Sequence, residues 1–389
     1  MNNCGIIVEY NPFHNGHKFH IEKSKEITGA DAVIAVMSGS FVQRGEPALF
    51  DKFIRAKAAI AGGVDLVIEL PFCYACAPAQ FFAEGAVRLL ANTGIVNSLC
   101  FGSECGDIKA LESSHNSSDK IKEYLACGMS YPAACAAASD NPLSSPNDIL
   151  GAEYLRAVKS YAPELSAYTL KRKDNGYHSL DAAGSFASAT AIRSMIDGGN
   201  FSEIRNFVPA EIFELFEKEY NIGNYTDFSL LDSLVLGKLR SGISMADTAY
   251  VAEGIENRFY ESSLAVSSIR ELADSVKTKR YTYARLMRII ACYTAELTEG
   301  DLQEFVCTCP KYIRILAANE TGKKMLSEMK KKATLPIITT PSAYKKLNST
   351  GRKMFELDCR AADIASLCKK NPALRQGRQD FGKLNIFSD

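Results

Sequence analysis

Two histidines, His14 and His17, bracket Asn15-Gly16 in the run Val8-Glu9-Tyr10-Asn11-Pro12-Phe13-His14-Asn15-Gly16-His17. The pair follows a short apolar run, Cys4–Glu9, and precedes an amphipathic, lysine-rich stretch from Lys18 to Thr28. Strand, tight turn and helix therefore follow in order. Residues three apart at a helix start share a face. The free N–H groups and the positive end of the dipole point the same way. Gly16 permits close backbone approach. Two imidazoles at such a place suit phosphate oxygens, and the chemistry they fit is nucleotidyl transfer. An α-phosphate is attacked, pyrophosphate leaves, and growing charge meets positioned donors. The competing reading is that His14 and His17 only cap the helix and bond locally.

Three other stretches carry candidate chemistry. Ala187-Ser188-Ala189-Thr190-Ala191-Ile192-Arg193 opens a helix ending at Gly198. Ser188 and Thr190 offer hydroxyls at a helix start, and Arg193 adds a charged fork for phosphate. The alternative is an ordinary N-cap with a surface arginine. The loop Ser38–Pro47 holds two glycines and a proline, and Ser38, Gln43 and Arg44 could hold a small anion beside the α-phosphate. Lys52, Arg55 and Lys57 follow it, and Lys52 either reaches phosphate or sits on a solvated helix face. Pro146-Asn147-Asp148 reads as a helix start whose asparagine could read adenine or ribose.

Apolar runs place strands at Asp31–Met37, Val64–Leu70, Ile95–Phe101 and Leu165–Leu170, with helices over 51–62, 79–92, 107–127 and 149–160 between them. This alternation predicts an α/β fold: a Rossmann-like, doubly wound parallel sheet, followed by an all-α part. Ligands in such sheets bind beyond the carboxyl ends of the strands, where His14 and His17 fall. From Phe201 helical periodicity dominates, with helices expected over 210–220, 228–241, 245–262, 266–277, 280–299 and 311–329. The boundary is placed at Gly198-Gly199, giving a nucleotidyl-transfer domain over 1–199 and a helical domain over 200–389. No element is assigned after about Lys345.

The 389 residues, 47% of them hydrophobic, suffice for a large core. The 45 basic and 45 acidic residues balance, so any nucleic-acid surface must come from local clustering. The 12 cysteines are scattered, with no signal peptide before them, and a reduced cytoplasmic setting is expected. Cys73-Tyr74-Ala75-Cys76 has no second CxxC, so it reads as packing rather than a zinc site, as does the Cys307/Cys309 pair. No apolar run reaches membrane-spanning length, so no membrane partner is expected.

Taken together, VEYNPFHNGH (Val8–His17), SGSFVQRGEPA (Ser38–Ala48), VDLVIELPF (Val64–Phe72), FGSE (Phe101–Glu104), PNDILGAEY (Pro146–Tyr154), SATAIR (Ser188–Arg193) and KTKRYTYARLMR (Lys277–Arg288) resemble the bacterial tRNA(Met) cytidine acetate ligase family. HxGH early and S/T-x-x-R late also resemble the phosphate-binding marks of the nucleotidylyltransferase superfamily. The resemblance spans Cys4 to about Leu326. It implies activation of acetate by ATP, with Mg²⁺ on the triphosphate, to acetyl-adenylate. The acetyl group then passes to N4 of the wobble cytidine of elongator tRNA(Met). It also implies an ATP site built from Ile7, Val8, Glu9, Tyr10, Asn11, Pro12, Phe13, His14, Asn15, Gly16, His17, Lys18, Phe19 and His20, together with Gly102, Asn147, Arg172 and Lys173. His14, His17, Lys18 and Arg193 are the candidates for stabilising charge in the reaction.

Lys277, Lys279, Arg280, Arg285 and Arg288 fall in twelve residues without an acid, and Tyr281 and Tyr283 lie among them. The cations could hold tRNA phosphates and a tyrosine could stack on an unpaired anticodon base. A solvated helix face with core tyrosines is the alternative. Lys323, Lys324, Lys330, Lys331 and Lys332 form a second cluster with the same two readings. Two rival functions remain, and the same HxGH and S/T-x-x-R pair would serve the first. One is a small-molecule adenylyltransferase of the pantetheine-phosphate or nicotinate-nucleotide type. The other is a nucleotide-sensing RNA-binding protein without catalysis. The basic helical part argues against the first, and the intact histidine pair against the second. The sequence does not give the oligomeric state.

Overall fold

The computed structural model describes residues 1–113, 123–124, 134, 137–138, 143, 145–172 and 187–381. Its frame is one sheet of seven strands: β1 (Asn3–Val8), β2 (Ala32–Ser38), β3 (Leu66–Leu70), β4 (Ser98–Ser103), β5 (Ser166–Lys171), β6 (Ile313–Ala318) and β7 (Ile337–Ile338). They lie in the order β5-β4-β1-β2-β3-β6-β7. Neighbours are parallel except β3 and β6, which are antiparallel. The expected α/β, doubly wound sheet is therefore present. Strand order reverses between β1 and β4, which opens a crevice at their carboxyl ends.

Every residue of β2 and β3 is buried, because helices cover both faces of the sheet. Alternate residues feed two cores. Ile34, Val36, Ile68 and Leu99 face one, against Val87 and Leu90 of the Ala79–Asn92 helix. Ile6, Val33, Ala35 and Val67 face the other, against Phe13, Ile21 and Phe213.

Several expectations for the second half are corrected. It is not wholly helical, because Ile313–Ala318 pairs with β3 as a strand instead of opening a helix over 311–329. All six of its residues are buried, so the run lacks the alternation that marks a half-exposed strand. The helix begins only at Glu320, where the Asn319 side chain accepts the Gly322 N–H at 2.9 Å. A single helix over 245–262 fails because Tyr250, Glu253 and Gly254 have φ of 69°, 61° and 74°, so the helix covers Ile255–Ser263 only. The stretch after Lys345 forms a 19-residue helix, Ser349–Leu367, whose Phe355 lies in the larger core. The helix expected over 107–127 is seen as Ile108–Ser113, and most of the remainder lies outside the described residues. Cys73 and Cys76 are buried beside β3, while Cys307 is exposed. No described helix is long and apolar enough to cross a membrane.

Candidate nucleotide site at the HxGH turn

The turn after β1 is fastened from three directions. The Glu9 carbonyl accepts from Arg55 Nη1 at 2.6 Å, and the Glu9 carboxylate accepts the Gln43 N–H at 2.7 Å. Asn11 Oδ1 accepts the Leu49 N–H at 2.7 Å, and the Asn11 carbonyl accepts Arg193 Nη1 at 2.7 Å. Tyr10, Asn11, Pro12 and Phe13 are buried, and Tyr10 takes a φ of 49° to make the corner. The Phe13 ring fills the space over Gly62, where a Cβ would lie 2.2 Å from it. Val8 is buried and Ile7 partly so, and these two backing residues end β1.

His14 is the N-cap of the Asn15–Thr28 helix. Its Nδ1 accepts the Gly16 N–H at 3.1 Å, and its own N–H donates to His17 Nδ1 at 3.3 Å. The rings stack with centroids 3.7 Å apart, and Tyr10 closes on His17 edge-on at 4.8 Å. Both Nδ1 atoms are acceptors, so the neutral tautomer of each ring carries its proton on Nε2. Local capping is thus present, and it leaves the two Nε2–H groups as donors. Burial, helped by the Arg172 charge, brings His14 down to about 4. His20 falls to about 4 for the same two reasons, and its Nε2 is buried without a partner. His17 lies well below its ordinary value through burial, then the charges of His14, His20 and Arg172. At neutral pH these rings are uncharged dipoles.

The expected role of the first-turn N–H groups is corrected. Asn15 N–H donates to the Phe207 carbonyl at 2.8 Å, His17 N–H to the His14 carbonyl at 2.8 Å, and Gly16 N–H to His14 Nδ1. Side chains must therefore supply the donors. Lys18 and Phe19 are half-buried at the helix start, and Arg172 is exposed. The Arg172 N–H holds the Ser103 carbonyl at 2.8 Å, and its side chain lies over Gly102, where a Cβ would come within 3.3 Å. Lys173 lies outside the described residues.

Arg193, on the Ala189–Asp197 helix, also reaches Thr190 Oγ1 at 3.3 Å. Ser188 Oγ caps that helix by accepting the Ala191 N–H at 3.1 Å. Both hydroxyls act as acceptors there, so each keeps its O–H for a ligand. Across the crevice, Asn147 Nδ2 donates to Glu104 Oε1 at 2.6 Å, a bond that does not use Asn147 Oδ1. Asp148 and Glu104 clamp each other: Asp148 Oδ1 accepts the Glu104 N–H at 2.8 Å, and Glu104 Oε2 accepts the Asp148 N–H at 3.0 Å. Sequence reasoning quoted both segments but missed this clamp, since the partners lie 44 residues apart.

Other candidates sit elsewhere. Ser38 is fully buried with its hydroxyl unpartnered, while Arg44 is exposed and its charge reaches Glu9. Gly45 (φ 85°) rests on the backbone of Met287 and Arg288, where a Cβ would lie 2.4 Å away, so the loop after β2 leans on the second half. Lys52 neither reaches phosphate nor faces solvent. It is buried in ion pairs with Glu69 (2.6 Å) and Asp380 (2.7 Å), beside Arg314. Arg55, also buried, donates to the carbonyls of Glu9, Ser38, Gly39 and Phe50. Tyr281 is buried with its hydroxyl on the Ala252 carbonyl at 2.7 Å and its ring against Arg285, so it is not free to stack on a base. Glu253 pairs with Arg280 at 2.5 Å, and Lys323 and Lys332 pair with Glu320 and Glu328, which thins both basic clusters.

Residues 1–380 match the family model of the HIGH Nucleotidyl Transferases, the class that this sheet and turn define. The chain is 41% identical over 396 residues to the tRNA(Met) cytidine acetate ligase of Thermoanaerobacter sp. (strain X514), covering 96% of this chain and 97% of that one. It is 38% identical over 409 residues to the enzyme of that name from Acetivibrio thermocellus, covering 98% of each. It superposes on Thermotoga maritima TmcAL bound with alpha-thio ATP with a TM-score of 0.92 at 33% identity, covering 100% of this chain and 99% of that one. The apo form of that protein gives 0.93 at 34%. The chain belongs to the tRNA(Met) cytidine acetate ligase family.

Proposed function

We propose that this enzyme activates acetate with ATP as acetyl-adenylate and transfers the acetyl group to N4 of the wobble cytidine of elongator tRNA(Met). One acetate oxygen attacks the α-phosphorus of ATP, and the bond to pyrophosphate breaks. The cytidine amine then attacks the acetyl carbon, AMP departs, and the amine proton is lost to solvent, leaving N4-acetylcytidine. The observation that carries this reading is the pair of uncharged Nε2–H donors of His14 and His17 at the reversal of the sheet, within the field of Arg172 and on a turn that Arg193 holds at the Asn11 carbonyl. Donors that stay neutral stabilise charge as it grows and do not lock onto the ground-state phosphates as cations would.

Lys18 and the hydroxyls of Ser188 and Thr190 meet the outer phosphates. Gly102 gives the nucleotide room beneath Arg172. Asn147 Oδ1 accepts from the adenine amine or a ribose hydroxyl. Mg²⁺ would come with ATP and would neutralise charge on the triphosphate. Among the described residues no cluster of three His, Cys, Asp or Glu side chains could hold a metal alone. Acetate lies by the loop of Ser38, Gln43 and Arg44, and proximity drives the second step. The nucleotide half is residues 1–199, and the tRNA anticodon region docks on residues beyond 200. The reaction belongs to the cytoplasm, where tRNA is found. The test is mass spectrometry of nucleosides after incubation with ATP, acetate and tRNA(Met). N4-acetylcytidine at the wobble position is expected. Unmodified tRNA, with AMP transfer to a small phosphorylated metabolite instead, would overturn the reading.

A further inference from the structure

A cleft of about 380 Å³ separates the Ala189–Asp197 helix from the second half of the chain. Its lining includes Asp197 from the catalytic half and Tyr225, Phe228, Asp232, Arg270 and Lys370 from the other. The volume falls within the range of ligand pockets, about 300–1,000 Å³. The cleft is tied to the nucleotide site. Asp197 lies one turn beyond Arg193, whose guanidinium holds the Asn11 carbonyl at 2.7 Å. The strap that forms the opposite wall runs beside the same turn: Thr226 N–H donates to the Leu49 carbonyl at 2.7 Å, and Leu49 N–H to Asn11 Oδ1.

We infer that this cleft takes the splayed wobble cytidine as the anticodon loop docks, before its N4 meets the acetyl-adenylate, a role that rests on the tRNA reading above. Three features of the lining favour such a guest. Tyr225 is backed by Tyr220 at 4.8 Å, so it presents a braced aromatic face, and Phe228 supplies a second ring. Among the described residues neither Asp197 nor Asp232 is in an ion pair within 4.0 Å, whereas Asp227 is closed off by Lys370 at 3.0 Å. Asp232 spends one oxygen on the Ile269 N–H at 2.8 Å and keeps the other. Desolvation raises both Asp197 and Asp232, against the pull of Arg270 on both and of Arg193 on Asp197. Carboxylates accept from the exocyclic amine of cytosine and reject the carbonyl that uracil presents there. Arg270, exposed, offers a cation to the flanking phosphates, while Lys370 is spent on Asp227. The stacking role that the sequence suggested for a tyrosine of the Tyr281/Tyr283 pair is here assigned to Tyr225 and Phe228.

The test uses the full chain and two synthetic anticodon stem–loop RNAs, one with cytidine and one with uridine at the wobble position. Asp197→Asn and, separately, Phe228→Ala are compared with the wild type, with ATP–pyrophosphate exchange as the control for folding. Asp197→Asn is expected to weaken the cytidine RNA by roughly 5- to 100-fold and erase its preference over uridine. Phe228→Ala should weaken both RNAs alike, by a similar factor. Wild-type affinities and preference in both variants would overturn the cleft assignment while leaving the tRNA reading intact. A wild type that binds neither RNA would overturn both.

Discussion

Two groups of charges lie near the carboxyl edge of one sheet, and they are built in opposite ways. At β3 and β6, Lys52, Glu69, Arg314 and Asp380 are each about 1–2% exposed and paired with one another. Around the HxGH turn, Arg172 after β5 and Arg44 in the loop after β2 are exposed, the histidines are neutral, and no carboxylate closes on them in an ion pair among the described residues. The closed group fastens the C-terminal segment to the sheet. The open group waits for an anion. The difference teaches that charge in a motif-rich region says little until its partners are known. Lys52 and Arg55 sit one turn apart beside the candidate anion loop, yet both serve the scaffold.

Breaking the closed group should have the largest effect. Arg314→Met leaves an uncompensated buried charge and is expected to cost about 3–5 kcal/mol of stability, read by denaturant unfolding. The folded fraction should keep its KM for ATP. His14→Ala should do the reverse. Its exchange rate should fall about 10²–10³-fold, while stability drops only by the loss of a cap, about 1 kcal/mol.

The neutral histidines sharpen the contrast through pH. Below their depressed pKa they gain protons and Nδ1 can no longer accept from the backbone. With His14 and His20 brought to about 4, kcat/KM for ATP should be level from pH 8 to below 6 as far as these groups go, and fall only toward 4. A limb near the ordinary imidazole value would show cationic histidines in the free enzyme. Arg172→Ala removes an exposed cation of the open group and should raise the KM for ATP by roughly tenfold, the low end for a charged hydrogen bond. Lys57→Ala, exposed on the helix that carries Lys52, should change stability by no more than about 0.5 kcal/mol. A large effect there would erase the distinction between the two faces of that helix.

The parallel strands were legible because continuous apolar runs between glycine and proline breaks leave few alternatives. HxGH was legible because its position after the first strand puts it at the crevice. What sequence reasoning missed depends on distant partners. Ile313–Ala318 becomes a strand only through pairing with Leu66–Glu69, some 250 residues away. Lys52 becomes structural because Glu69 and Asp380, the latter 328 residues on, both reach it. The histidine tautomers follow from local hydrogen bonds that spacing alone does not set, since a helix face without the N-cap geometry of His14 would have left both rings free to flip.

The most direct measurement is ATP–pyrophosphate exchange with Mg²⁺ and without tRNA, in the presence and absence of acetate, for the wild type and His14→Ala. Adenylation of acetate at the HxGH turn requires exchange that depends on acetate and is lost in the folded variant. Exchange indifferent to acetate, or undiminished in His14→Ala, would contradict it.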